Sequence, residues 1–261
     1  MKRILQILIW VVVLSGISAI LGFALIDQKA IKCTNLSVTI ADDNARGFIS
    51  TKEIENLVYK EFDSITGKLM DSLNIEQIER KLEENPYIKS VHVYTTVHGS
   101  LSIEVEREEA LIRIINKKNE NYYLSRSGKA LPLSKKFIPH VIIASGNIKE
   151  NYHTIKDNHK LNFSPTTENI NDLASLSYLA KALEQNNFLK DHIKQIYIGK
   201  EGEIELIPDD GKFTILLGDV NDLDIKFENL FAFYQAGLPK VGSDNISVVN
   251  LKYKNQVVCR K

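Results

Sequence analysis

The chain has 261 residues, 44% hydrophobic and 25% charged, a balance that excludes a wholly disordered polymer. Its 33 Lys and Arg cancel its 33 Asp and Glu, which leaves no electrostatic case for nucleic-acid binding. The only cysteines, Cys33 and Cys259, lie at opposite ends of the chain; they make no disulfide framework, and separate thiols without a catalytic role are expected over a single bridge between them.

Residues 4–26, "ILQILIWVVVLSGISAILGFALI", run without a charge. A bilayer core needs about 20 apolar residues in a helix, whereas the apolar part of a signal peptide is about 7–15. The length and the poor cleavage sequence "ALIDQ" favour an uncleaved membrane helix. Lys2 and Arg3 place the head, residues 1–3, in the cytoplasm and the rest outside it; Lys29 and Lys32 weaken that contrast. Gln6, Ser15 and Ser18 are tolerable in such a helix, where they could bond to a partner helix but are expected to satisfy their own backbone.

"CTNLSVTI" reads as a first strand, and "GFISTKEIENLVYKEF" as a helix. Ser50 with Glu53 forms a capping box, and Ile54, Leu57, Val58 and Phe62 form the apolar stripe. In "SLNIEQIERKLEENPY", Asn74 caps a second helix that turns Ile75, Ile78 and Leu82 inward, and Pro86 stops it near Asn85. "IKSVHVYTTV" and "SLSIEVERE" alternate as two strands joined at His98 and Gly99. Residues 27–108 are thus a small strand-helix-helix-strand-strand domain.

Residues 109–261 are richer in strands. "ALIRIIN", "NYYLS", "KALPL" and "HVIIAS" are short runs punctuated by Gly, Pro and Asn. Neighbours on a strand face opposite ways, so one of Tyr122 and Tyr123 is expected in the core and the other in solvent. A helix over 164–187 has Ser164 as cap, Pro165 in its first turn and Ile170, Leu173, Leu176, Leu179 and Leu183 at helical spacing. "IKQIYIG", "EIELIP" and "FTILLG" follow as consecutive strands. A last helix over 222–237 carries Leu223, Phe227, Leu230, Phe231 and Tyr234, with Gly237 as its stop.

The end, "ISVVNLKYKNQVVCRK", reads as one long half-buried strand. Val249, Leu251, Tyr253, Asn255, Val257 and Cys259 share one parity; Asn250, Lys252, Lys254, Gln256 and Arg260 share the other. A last strand with nothing beyond it leaves an open edge. Lysines can blunt such an edge, or a partner can add a strand to it.

Chemistry is not evident. His92, His98, His140, His153, His159 and His192 are scattered, with no HExxH, G-x-S-x-G or Walker A motif. Asp219, Asp222, Asp224 and Glu228 fit no calcium loop and read as acidic residues at a helix start. The chain is expected to be no enzyme and to take no cofactor, metal or small-molecule substrate.

The order of several phrases resembles the FtsQ/DivIB family of bacterial division proteins. They are "FISTKEI", "LEENPYI", "LSIEVERE", "YYLSRSGKALPL", "LLGDVNDLDIKFENL" and "VVNLKYKNQVV", and they span nearly the whole chain. Glu109, Ser125 and Asn250 depart from the family's usual Pro, Asp and Asp. The resemblance implies an α+β chain: a transmembrane helix, a small POTRA domain (βααββ), and a larger β-rich domain with a mixed or antiparallel sheet and two helices. It implies a non-catalytic scaffold of the divisome in the plasma (inner) membrane, enriched at the septum, that links early and late division proteins. It also implies that the terminal strand receives the FtsB subunit of an FtsB–FtsL pair. Asn250, Lys252, Tyr253, Lys254, Asn255 and Gln256 are then the contact residues, with Lys252 and Lys254 favouring an acidic segment. Other division proteins would meet the POTRA domain and the membrane helix. The competing readings are a POTRA-bearing envelope assembly or secretion factor and a cell-wall enzyme without a recognisable motif.

Overall fold

The computed structural model describes residues 6, 9–20, 31–41, 46–157, 173–254 and 256–261. Residues 9–20 are helical and expose large apolar side chains, Trp10, Leu14 and Ile20 among them. The Ser15 hydroxyl donates to the Val12 carbonyl and that of Ser18 to the Leu14 carbonyl, both at 2.9 Å, so each serine satisfies its own backbone. Most of the rest of the 4–26 span lies outside the described residues, and among those described no helix is long and apolar enough to cross a membrane.

Beyond that helix the chain forms two compact units that divide between Arg107 and Glu108. The first is built from β1 (Asn35–Ile40), α1 (Thr51–Phe62), α2 (Ile75–Glu83), β2 (Ile88–Thr95) and β3 (Ser100–Arg107). The Glu53 carboxylate accepts the Ser50 N–H at 3.0 Å and starts α1; the Asn74 side chain accepts the Gln77 N–H at 3.0 Å and starts α2. The sheet order is β1-β3-β2, with β1 parallel and β2 antiparallel to β3. Parallel strands need a long crossover, and the two helices supply it. Ile54, Val58, Ile78, Leu82, Leu101 and Ile103 are buried together between helices and sheet.

The second unit is a nine-stranded mixed sheet. In chain order its strands are β4 (Ala110–Ile115), β5 (Asn121–Ser125), β6 (Ala130–Leu131), β7 (Ile142–Gly146), β8 (Ile193–Ile198), β9 (Ile204–Pro208), β10 (Thr214–Gly218), β11 (Val248–Asn250) and β12 (Val258–Arg260). In space they run β12-β11-β10-β9-β8-β7-β4-β5-β6. One register row, Tyr122–Ile114–Ala144–Ile196–Leu206–Ile215–Val249, crosses seven strands, and every member is fully buried.

Five helices, not two, accompany this sheet among the described residues: α3 (Tyr152–Asp157), α4 (Leu173–Gln185), α5 (Leu189–His192), α6 (Leu223–Ala232) and α7 (Leu238–Val241). α4 buries Leu173, Leu176, Leu179 and Leu183 as its spacing predicts; Ser164, Pro165 and Ile170 lie outside the described residues. Gly237 is not the stop of the last helix. A terminating glycine needs the left-handed region. Gly237 has φ −87°, and a π turn, Phe233–Gly237, carries the chain into α7, which ends at Gly242 with φ +80°. A Cβ on Gly237 would stand 2.7 Å from the Phe233 ring, so its smallness serves packing.

Two other expectations are corrected. Tyr122 and Tyr123 are both buried, because neither face of the sheet is open at β5; the Tyr122 hydroxyl donates to the Glu150 carbonyl at 3.2 Å. The closing segment is not one strand. β11 runs parallel to β10, the chain turns after Leu251, and β12 returns antiparallel to β11. The pairing of β11 with β10 reaches only from Thr214 to Leu216, so among the described residues no neighbour continues alongside Tyr253. The Asn250 side chain accepts the Lys252 N–H at 2.9 Å, a local bond that bends the chain out of the ladder.

Gly146 holds the middle of the sheet. Its φ is +103°, and a Cβ there would lie 2.2 Å from the Ile198 carbonyl oxygen on the paired strand. Gly146→Ala should destabilise the second unit by about 3 kcal/mol or more, from strain plus clash. Gly211→Ala, at φ +61° in open space, should cost about 1 kcal/mol. Urea unfolding of the two variants checks the contrast.

Candidate functional site: the C-terminal hairpin and its edge

The direction of each backbone group in the hairpin follows from its bonds. The Leu251 N–H donates to Leu216 at 2.9 Å, and the Ser247 carbonyl accepts from Thr214 at 3.0 Å, so both point towards β10. Alternate residues of a strand point opposite ways, so Val248 and Asn250 face β12, where they pair with Arg260 and Val258. The Arg260 carbonyl also accepts the Ser247 N–H at 2.8 Å. Cys259, between Val258 and Arg260, therefore directs its N–H and C=O away from the sheet, and no described residue bonds to either. Its side chain is exposed and ends the buried register row opposite Val249; partial burial pushes the thiol pKa up.

The expected contact residues that the structure describes fall elsewhere. Asn250 sits in β11, inside the pairing. Lys252 packs over Gly218 and pairs with Glu203. Tyr253 stands 53% exposed at the turn. Lys254 lies 3.5 Å from Asp222, Gln256 is exposed ahead of β12, and Asn255 lies outside the described residues. The open edge is Val258–Arg260, which the parity pattern did not single out. The polar run "KYKNQ" over 252–256 was the available signal for a turn.

A groove of about 380 Å³ adjoins the turn, lined by Leu217, Gly218, Ile225, Leu251 and Tyr253 with charged residues around them. Its three lysines are all engaged: Lys252 with Glu203, Lys226 with Asp219 at 2.6 Å and Lys254 with Asp222. The basic charge expected to draw an acidic segment is thus balanced within the site. Among the described residues no group of His, Cys, Asp and Glu could hold a metal ion. Asp219 instead accepts from Asn221 and Lys226 at the start of α6.

Residues 109–260, more than half of the chain, match the family model for FtsQ/DivIB, C-terminal related. The chain belongs to the FtsQ/DivIB family. Residues 31–106 match a POTRA-like domain, which covers the first unit. No curated protein matches the chain. The family membership read from the order of six short phrases is borne out. Two departures from the FtsQ/DivIB phrases keep the acceptor an aspartate would supply. Ser125 is buried and its hydroxyl accepts the Lys129 N–H at 3.0 Å; Asn250 accepts from Lys252. Glu109, in place of Pro, pairs with Arg126 at 2.9 Å.

Burial pushes the Asp219 carboxyl up, but the hydrogen bonds from Lys226 and Asn221 outweigh it and hold its pKa below the ordinary 3.8. A carboxyl depressed by folding adds stability above its unfolded pKa and loses it as pH falls through the folded one. Lys226→Met should therefore cost stability near pH 7 and little at about pH 2. Urea midpoints of both proteins across that range measure it.

Proposed function

We propose that this chain is a membrane-anchored, non-catalytic scaffold of the bacterial division complex, and that it takes a partner's extended segment on β12. The observation that carries the reading is the outward N–H and C=O of Cys259 at the end of the nine-stranded sheet. Such an edge adds a strand through backbone bonds, while neighbouring side chains set specificity. In the FtsQ/DivIB resemblance the partner is an FtsB–FtsL pair, with FtsB supplying the strand. Tyr253 and Ile225, exposed beside the turn, are apolar surface for that segment to cover. The scaffold role rests on family membership and on the absence of any catalytic motif in the sequence. It would bridge early and late division proteins at the septum.

The anchor is residues 4–26, whose length suits a bilayer, with the two units outside the cytoplasm. The exposed apolar side chains along residues 9–20 agree with a lipid surrounding. N-terminal sequencing of the membrane-extracted protein should read from the head. A mature start between Ala24 and Lys32 would contradict the anchor.

Proline is tolerated on an edge strand where its missing N–H faced solvent. Cys259→Pro should keep the circular dichroism and melting of the wild type, yet bind the FtsB–FtsL pair about tenfold or more weakly. Cys259→Ala, which keeps the N–H, should bind nearly as the wild type does. Equal capture by the folded proline variant would refute strand addition at β12.

A further inference from the structure

The POTRA-like sheet has its own edge at β2, and there the situation is reversed. The Thr96 N–H donates to Ser100 at 2.9 Å, and Tyr94 and His92 stand opposite Ser102 and Glu104. These residues face β3, so Val91, Val93 and Thr95 direct their N–H and C=O groups to the edge. The Val93 N–H, the middle of the three, donates to the Glu79 carboxylate at 2.8 Å. Glu79 lies on α2 next to Ile78, whose side chain is buried in the core, and Val93 is itself a core residue. The carboxylate thus occupies the place that the carbonyl of an incoming strand would take.

We propose that Glu79 is an edge cap that holds β2 closed against strand pairing with a second copy of this chain. An incoming strand needs the donors of 91, 93 and 95 in succession, and a charged acceptor on the middle one breaks the ladder. Covering an edge from a neighbouring helix is one of the ways in which proteins prevent edge-to-edge association. The cap acts within the POTRA-like unit and does not depend on strand addition at β12.

The test compares the full chain in detergent micelles with Glu79→Ala and Glu79→Gln, by residue-resolved amide exchange and by sedimentation. In Glu79→Ala the Val93 amide should exchange about tenfold faster, the factor for losing one charge-assisted bond. Glu79→Gln, whose amide oxygen still accepts, should stay close to the wild type. The alanine variant should also gain mass with concentration beyond the wild type. Adding Thr95→Pro, which removes an exposed edge donor, should return it to the wild-type mass. Unchanged exchange at Val93 would overturn the bond. Faster exchange without added association, or association that survives Thr95→Pro, would overturn the cap.

Discussion

The second unit depends on one register. Seven strands align Tyr122, Ile114, Ala144, Ile196, Leu206, Ile215 and Val249 in a single buried row. Side chains alternate with period two, so a slip of one residue in any strand would turn its core members to the opposite face. Gly146 fixes the row by letting β7 approach β8 closer than a Cβ allows. The row also determines where the sheet ends. Val249 is its last buried member, and Cys259 stands beyond it, exposed, on β12, whose outer side no described strand covers.

An open strand is a liability unless it is capped or used. In the POTRA-like unit a carboxylate takes the central donor of β2. In the second unit the hairpin leaves Cys259 facing outward, and the nearby lysines pair with Glu203 and Asp222. Lysine therefore does not blunt β12 from the turn; it ties the turn to the body of the unit. The two edges differ in chemistry as well as position, which is the physical basis for assigning them different roles.

Local rules made most of the first unit legible. The capping box at Ser50, the cap at Asn74 and the alternation in β2 and β3 each depend on residues within a few positions. The errors came where burial depends on a distant neighbour. Alternation over 249–259 was real, but it makes a strand only where another strand runs alongside, and β10 stops short. The Tyr122–Tyr123 pair failed for the opposite reason, since both faces are covered there. Gly237 has the place of a terminator in the sequence, but its missing Cβ makes room for Phe233. The expected contact residues lie on β11 and the turn, whereas the outward backbone is on β12, the other arm of the hairpin.

The β11–β12 hairpin offers the Cys259 backbone outward. Residue-resolved amide exchange over 247–261, with and without the FtsB–FtsL pair, addresses it most directly. In the free protein the amides of Val258 and Arg260 should be protected and that of Cys259 should exchange fast, and binding should protect Cys259. Protection of Cys259 in the free chain with fast exchange at its neighbours, or a Cys259 amide unmoved in the complex, would contradict it.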